Sequence, residues 1–376
     1  MKSKVLHIIT SLNDGGAEGT LAKLCIGCKN FNHIVISMSG MGKYGPLLEN
    51  AGVKIYSLNF DKGFKNYINI FTLFTIFRNE KPSIVQTWMY HADILGGCVA
   101  KLFRISNIFW NIRHATYKEK GLKSKKHKFI AHIHLFLSKF IPKKIICCAK
   151  SCYESHIEIG YCKSKMAIIY NGIDTEKFFY NPLSREMLRR DLGLSQEKIV
   201  IGSIGRLHEN KGQDNLFKSL KILSDESIDI AYIFAGTNMQ KDNPAIKNLI
   251  KSNNLSLELI FLGKRNDVPA IMNAIDIHVS ASSSEGFPNV IAEAMSCATV
   301  AISTNVGDSK YIAESNQCIC KANSPSELAR LMLTTIKEKN NKKFWDERKF
   351  NSRKKIIDNF SLEKMINSYE QIWMNC

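Results

Sequence analysis

The sequence has no apolar run approaching the roughly 18 to 20 residues that a membrane-spanning helix needs. Its opening stretch, MKSKVLHIITSLND, is too poor in apolar residues for a secretory leader and lacks a cleavage-type ending. Both absences predict a chain that remains in the cytoplasm. Proline (8) and glycine (22) are too sparse for a disordered or fibrous chain. The 11 cysteines are odd in number and scattered, several beside apolar residues as at Cys147, Cys148 and Cys297, so they read as reduced thiols. Cys25 and Cys28 form a C-x-x-C, but no second pair accompanies them and no zinc or redox centre is assigned there. Acidic residues are scarce in one half only. Residues 1–172 hold 25 Lys and Arg against 9 Asp and Glu, a balance of +16, whereas the remainder holds 27 against 25, or +2.

What the chain does contain is ordinary globular composition, 45% hydrophobic and 23% charged. Its 376 residues exceed the usual reach of one core and favour two domains. Short apolar runs alternate with amphipathic segments, the pattern of a parallel sheet covered by helices. Strands are expected near residues 5–9, 34–37, 53–58, 84–87, 108–112, 144–148 and 167–169. After Asn171-Gly172 a loop leads through Pro182 to a polar helix ending near Gly193. The alternation then restarts, with strands near 199–204, 231–235, 259–262, 277–280 and 300–303. The fold class is therefore α/β, two doubly wound domains facing across a cleft. The expected boundaries are 1–172, 173–350, and a C-terminal helical segment, 351–376, packing back on the first domain, with Met365, Ile366, Tyr369, Ile372 and Trp373 at helical spacing.

The excess basicity concentrates between Lys118 and Lys150, where ten lysines are interleaved with apolar residues. On a helix, Ile130, Ile133, Leu137 and Ile141 would share a face, with Phe129, Phe136 and Phe140 beside it and Lys125, Lys126 and Lys128 at its start. A basic amphipathic stretch of this kind can lie on an anionic membrane surface, each nearby lysine contributing ~1 kcal/mol. The plainer alternative is a core-packing helix with a solvated lysine face. No nucleic-acid motif accompanies the charge, and nucleic acid is not expected as a partner.

The densest chemical constellation follows the strand near 277–280. A polar loop runs into Glu285-Gly286-Phe287-Pro288-Asn289 and then a helix carrying Val290 and Glu293. A helix start offers unpaired amides and a positive dipole end, suited to a phosphate. Glu285 before the helix and Glu293 one turn in can each accept hydrogen bonds from hydroxyls, so together they suit sugars on both sides of a phosphate. Alone, they could equally be a loop acid and a dipole-complementing helix acid. Upstream, however, the strand at 199–204 ends in Gly205-Arg206-Leu207, and Lys211-Gly212 stands at the next helix start. A guanidinium fork and an ammonium at the same sheet edge suit a diphosphate and the charge that develops as it leaves.

At these positions the sequence resembles the retaining glycosyltransferases of family 4, which have the two-domain GT-B fold. The resemblance runs over nearly the whole chain: GGAE at Gly15–Glu18, YNGID at Tyr170–Asp174, GRLHENKG at Gly205–Gly212, and the E-x7-E of EGFPNVIAEAM from Glu285 to Glu293. NVGD at Asn305–Asp308 follows in place. The resemblance implies that Arg206 and Lys211 bind the donor diphosphate, that Glu285 contacts the transferred sugar and that Glu293 holds the ribose. It also implies that Gly286, Phe287, Pro288, Asn289 and Val290 line the donor, and that Gly15 and Gly16 let a first loop approach the phosphates. The family generally needs no metal, so none is expected, nor any cofactor beyond the nucleoside diphosphate sugar, a UDP-sugar being favoured. Many relatives carry Arg after GGAE; here the residue is Gly19.

The segment from Gln86 to Gly97 resembles a subgroup that builds bacterial surface polysaccharides, O-antigen and capsule among them. His91 and His114 each follow a strand, and the resemblance makes His114 the first candidate beside the reacting sugar. His91 and Arg113 are further acceptor-site candidates; any of the three could instead be structural. The resulting expectation is transfer of a hexose or N-acetylhexosamine to a lipid-linked glycan with retained anomeric configuration, by an enzyme peripheral on the inner face of the cell membrane. Arg206, Lys211, Glu285 and His114 would form the catalytic set. A sugar-nucleotide epimerase or phosphorylase on the same architecture, or a non-catalytic basic membrane-binding protein, are the alternatives.

Overall fold

The computed structural model describes residues 2–60, 66–113, 125–226, 228–313 and 318–375. The chain divides into two compact units, Met1–Gly172 with Leu362–Cys376, and Ile173–Ser361. Each is a wholly parallel sheet flanked by helices, as the alternating pattern predicts.

In the first unit the order is β1 (Lys4–Ile9), α1 (Gly16–Gly27), β2 (Asn32–Ser37), α2 (Tyr44–Asn50), β3 (Lys54–Ser57), α3 (Asn66–Glu80) and β4 (Ile84–Trp88). There follow α4 (Tyr90–Leu102), β5 (Ile108–Ile112), α5 (Lys125–Ser138), β6 (Lys144–Cys147), α6 (Lys150–Glu158) and β7 (Met166–Ile168). The strands lie in the order β3-β2-β1-β4-β5-β6-β7. β4 (IVQTW) and β5 (IFWNI) are buried at every position, which is why they read as continuous apolar or neutral runs and not as alternating ones.

The second unit contains α7 (Pro182–Asp191), β8 (Ile199–Ile204), α8 (Gln213–Asp225), β9 (Ile230–Ala235), α9 (Pro244–Asn253), β10 (Glu258–Gly263) and α10 (Val268–Ala274). It continues with β11 (Ile277–Ser280), α11 (Asn289–Ser296), β12 (Val300–Thr304), α12 (Ser309–Ala313), β13 (Ile319–Cys320), α13 (Pro325–Glu338) and α14 (Lys342–Phe360). Its strand order is β10-β9-β8-β11-β12-β13. In both sheets the first strand is central and the winding reverses beside it, between β1 and β4 and between β8 and β11. Loops leaving such a reversal diverge, and ligands of open α/β sheets bind at the carboxyl ends of those strands.

The segment 351–376 divides at Ser361. Residues 351–360 continue α14 within the second unit, where the Ile173 amide donates to the Phe360 carbonyl at 2.8 Å. Beyond Ser361, α15 (Leu362–Met374) belongs to the first unit and buries Met365, Tyr369 and Trp373 in that core.

The expected apolar face of the 125–141 helix is not the face that packs. α5 ends at Ser138, so Phe140 and Ile141 lie beyond it, and its buried positions are Ala131, His134 and Ser138. Ile130, Ile133 and Leu137 are only half-buried. The reason is that Trp110 of β5 and Tyr90 of α4 already fill the space, stacking on the His134 ring with centroids at 4.4 and 4.2 Å. Among the described residues no helix is long and apolar enough to cross a membrane.

Candidate functional site

The two loops that flank the reversal in the second unit carry most of the expected donor residues. β8 runs out through Gly205 to Arg206, whose side chain is exposed and has no hydrogen-bond partner among the described residues. A short turn, Glu209–Lys211, is capped by His208, whose imidazole accepts from the Asn210 amide at 3.2 Å. Gly212 then opens α8 in the left-handed region, at φ 65°, and a Cβ there would stand 2.0 Å from the Ala281 carbonyl oxygen. Only glycine meets both conditions. That close approach brings Lys211 against the loop after β11.

Along that loop the Ser283 amide donates to the Asn210 carbonyl at 2.9 Å, tying the two loops together. Lys211 Nζ lies 2.6 Å from Glu285 Oε1, and the Ser282 hydroxyl donates to the same oxygen at 2.8 Å. Glu285 is therefore a positioned carboxylate, with its side chain 15% exposed and that of Lys211 29%. On its far side Gly307, at φ 52°, leaves room for the Glu285 and Gly286 carbonyls, which a Cβ would meet at 2.5 and 2.4 Å. The Asp308 amide donates to the Gly286 carbonyl at 2.9 Å.

α11 begins at Asn289 with Pro288 at its cap, and Glu293 stands half-buried one turn in. Phe287 turns inward, its ring 5.4 Å from Phe360. A cavity of about 30 Å³ opens between the loops, bordered by Gly205, Lys211, Gln213, Ser280, Ser282 and Val290. A larger groove of about 910 Å³ runs between α8 and α9, but it meets this cavity only at Gln213 and contains neither Lys211 nor Glu285. The smaller hollow is the one bordered by Lys211 and Ser282, both of which reach Glu285.

His278, on β11 beneath this edge, was not anticipated. It is fully buried, neither ring nitrogen has a hydrogen-bond partner among the described residues, and burial, with the Lys211 charge adding, lowers it to about 3. It stays neutral, so the cationic character here is that of Arg206 and Lys211. Ser282 was also missed. Three serines in a row, Ser282 to Ser284, give no sequence signal as to which one the loop turns toward Glu285.

The remaining candidates lie in the first unit. Gly15 caps α1, with Gly16 the first helical residue. Gly15 leaves room for Glu18 to fold back and accept from the Ser11 hydroxyl at 3.1 Å; a Cβ would stand 2.2 Å from Glu18 Oε2. His91 is exposed in the first turn of α4. The Arg113 guanidinium donates to the Thr20 hydroxyl at 2.8 Å and to Asn171 Oδ1, and lies 5.5 Å over the Trp88 ring. Its fork thus binds α1, β4 and the end of the unit together. His114 lies outside the described residues, as do residues 118–124 of the basic stretch.

His7, Cys25 and His33 come together in the first core, with one potential ligand atom from each within 4.8 Å of the others. The hydrogen bonds there assign tautomers. Trp88 Nε1 donates to His7 Nδ1 at 3.3 Å, so His7 carries its proton on Nε2 and donates to His33 Nδ1 at 2.9 Å. His7 Nε2 and His33 Nδ1 are thus engaged with each other, while His33 Nε2 is buried without a hydrogen-bond partner among the described residues. Burial also pushes the Cys25 thiol up, and burial with Glu370 beside it pushes Cys28 up to about 12, so both are poor thiolate ligands.

Residues 184–355 match the family model described as Glycosyl transferases group 1, and residues 14–177 match that of Glycosyltransferase Family 4. Among curated relatives, the chain is 24% identical over 322 residues to the UDP-Gal:alpha-D-GlcNAc-diphosphoundecaprenol alpha-1,3-galactosyltransferase of Escherichia coli, covering 83% of this chain and 80% of that one. It is likewise 24% identical over 265 residues to the N,N'-diacetylbacillosaminyl-diphospho-undecaprenol alpha-1,3-N-acetylgalactosaminyltransferase of Campylobacter jejuni, covering 68% of each. The crystal structure of HepE from Anabaena in complex with UDP superposes with a TM-score of 0.85 at 19% identity, over 99% of this chain and 100% of that one.

Proposed function

Since the chain belongs to the group 1 and family 4 glycosyltransferases, we propose that it moves a hexose or N-acetylhexosamine from a UDP-sugar to a lipid-linked glycan, with retention of anomeric configuration, in the building of a bacterial surface polysaccharide. The observation that carries this reading is the Lys211–Glu285 pair at the winding reversal, 2.6 Å apart, with Arg206 exposed on the same loop as Lys211 and the start of α11 beside Glu285. The cations suit a diphosphate, the helix start its amide contacts, and the two glutamates hydroxyl groups on either side. Two relatives named for transfer to diphospho-undecaprenol-linked sugars, and a structural neighbour bound to UDP, support the donor and acceptor classes.

The chemistry follows from charge. As the glycosidic bond to the diphosphate breaks, negative charge develops on the departing oxygen, and Lys211 and Arg206 stabilise it. On this reading the departing phosphate helps to deprotonate the acceptor hydroxyl on the same face, Glu285 holds the transferred sugar, Glu293 holds the ribose, and no metal is required. Lys211→Ala is expected to lower kcat about 10²- to 10³-fold, the usual cost of losing one such charge-stabilising group. A thermal-shift screen against UDP, GDP, ADP and their sugars, followed by turnover with the best donor, tests the assignment. Unchanged turnover in Lys211→Ala would overturn it.

We also propose that the basic stretch of the first unit, Lys118 to Lys150, rests on an anionic membrane where the acceptor is held. Supporting this, Phe129, Phe136 and Phe140 are 66%, 62% and 62% exposed in a lysine-rich stretch.

A further inference from the structure

We propose that Ser282 is a positioning residue for Glu285, one that keeps the carboxylate aimed at the sugar after Lys211 has been drawn to the diphosphate; this rests on the donor-site reading above. Two donors converge on a single oxygen, with Lys211 Nζ at 2.6 Å and the Ser282 hydroxyl at 2.8 Å from Glu285 Oε1. The other oxygen, Oε2, has no partner among the described residues. A carboxylate gripped by one oxygen presents the second in a fixed direction, which is what binding a particular sugar hydroxyl requires.

The two donors differ in what substrate does to them. Lys211 carries its ammonium on a flexible stem that is 29% exposed, and a diphosphate offers it more negative charge than one carboxylate. Once recruited, it ceases to fix Glu285. Ser282 cannot follow. It is 2% exposed, and its carbonyl accepts from the Thr304 hydroxyl at 2.5 Å. The next amide, that of Ser283, donates to the Asn210 carbonyl at 2.9 Å. The backbone is pinned on both sides, so the hydroxyl stays while the ammonium leaves. Without it, nothing fixes the direction of Glu285 once Lys211 has gone to the phosphates, and the sugar loses its anchor while the nucleotide does not.

The test compares UDP with a UDP-hexose by calorimetry and turnover, in wild type, Ser282→Ala, Glu285→Gln and the double variant. In Ser282→Ala, UDP affinity is expected to stay within about twofold, which also reports correct folding. The ratio of UDP-hexose to UDP affinity, and kcat/KM with it, should fall about tenfold, the worth of one hydrogen bond to a charged group. In the Glu285→Gln background the serine change should add nothing, because its effect passes through the carboxylate. Equal weakening of UDP and UDP-hexose, or additive losses in the double variant, would assign Ser282 a merely structural role and overturn the proposal. Absence of any UDP or UDP-hexose binding by wild type would instead sink the donor-site reading, and this inference with it.

Discussion

Glu80 closes α3 with a negative charge at the helix end that disfavours it. It is held there by Lys54 Nζ and the Tyr56 hydroxyl, each at 2.6 Å from Oε1, and by Lys4 Nζ at 3.1 Å from Oε2. Burial alone would raise this carboxyl, but the three donors outweigh it and hold it at about 2 against an ordinary 4.5. A depressed carboxylate contributes stability that is complete above its ordinary value and disappears as pH falls through its folded one. Wild type should therefore lose stability between about pH 4.5 and 2, and Glu80→Gln should flatten that limb of a thermal-unfolding profile. Identical acid limbs would contradict the assignment. Gly212→Ala tests the donor loops at the same scale. Its Cβ would meet backbone, the Ala281 carbonyl oxygen at 2.0 Å, so no rotamer relieves it. A loss of about 1–3 kcal/mol in unfolding free energy is expected, with weakened UDP binding. At this scale the sequence revealed residues that belong to one short motif, as Glu285 and Glu293 do on either side of the α11 start. It was silent on Ser282, on the neutral His278 and on the His7–His33 pair, because which strand or loop position meets which neighbour is decided by tertiary register.

Elements were legible wherever burial is complete on both faces. The strands of both sheets appear as apolar runs, and only β13, two residues long at a sheet edge, gave no signal. α5 was read as a helix, but its inner face was misjudged. Periodicity identifies an apolar stripe without telling whether the core has room for it. His134 instead reaches into the core, its Nε2 2.9 Å from Asp93 Oδ2 and its Nδ1 2.5 Å from the Tyr161 hydroxyl. Burial raises Asp93 and lowers His134 to about 3, directions that agree on a neutral hydrogen-bonded pair. With its small and polar side anchored, α5 leaves Phe129 and Phe136 outward, and the Phe136 and Phe140 rings touch at 5.4 Å. Replacing Phe129 and Phe136 with serine should leave the melting temperature unchanged, since neither side chain is in the core. If these rings insert into lipid at about 1 kcal/mol or more each, binding to phosphatidylglycerol-containing vesicles should fall at least tenfold. Unaltered vesicle sedimentation would remove the membrane role from this helix.

For the molecule as a whole, the arrangement that sequence order least suggests is the return of the chain end. α15 arrives after the whole of the second unit, yet it completes the first core. Trp373 Nε1 donates to Gln86 Oε1 at 3.2 Å, and the Tyr369 hydroxyl accepts from Asn111 Nδ2 at 2.5 Å. The Glu370 carboxylate accepts from the Cys28 thiol at 3.1 Å and from Asn30 Nδ2 at 2.8 Å. Helical spacing made the apolar face of this segment visible, but the polar partners on β4 and β5 could not be paired without the fold. Ending the chain at Ser361 would leave those groups without partners in a breached core. Loss of the Trp373 side chain alone costs about 3–5 kcal/mol, against a total of about 5–15 kcal/mol for a typical domain. Among the described residues, the core of the second unit draws none from 362–376. The truncated chain should accordingly lose residues 1–172 to limited proteolysis, while a fragment near 173–361 resists and retains the UDP-dependent rise in melting temperature expected of the donor site. A truncated protein whose two units resist protease equally would show that α15 is dispensable to the first core.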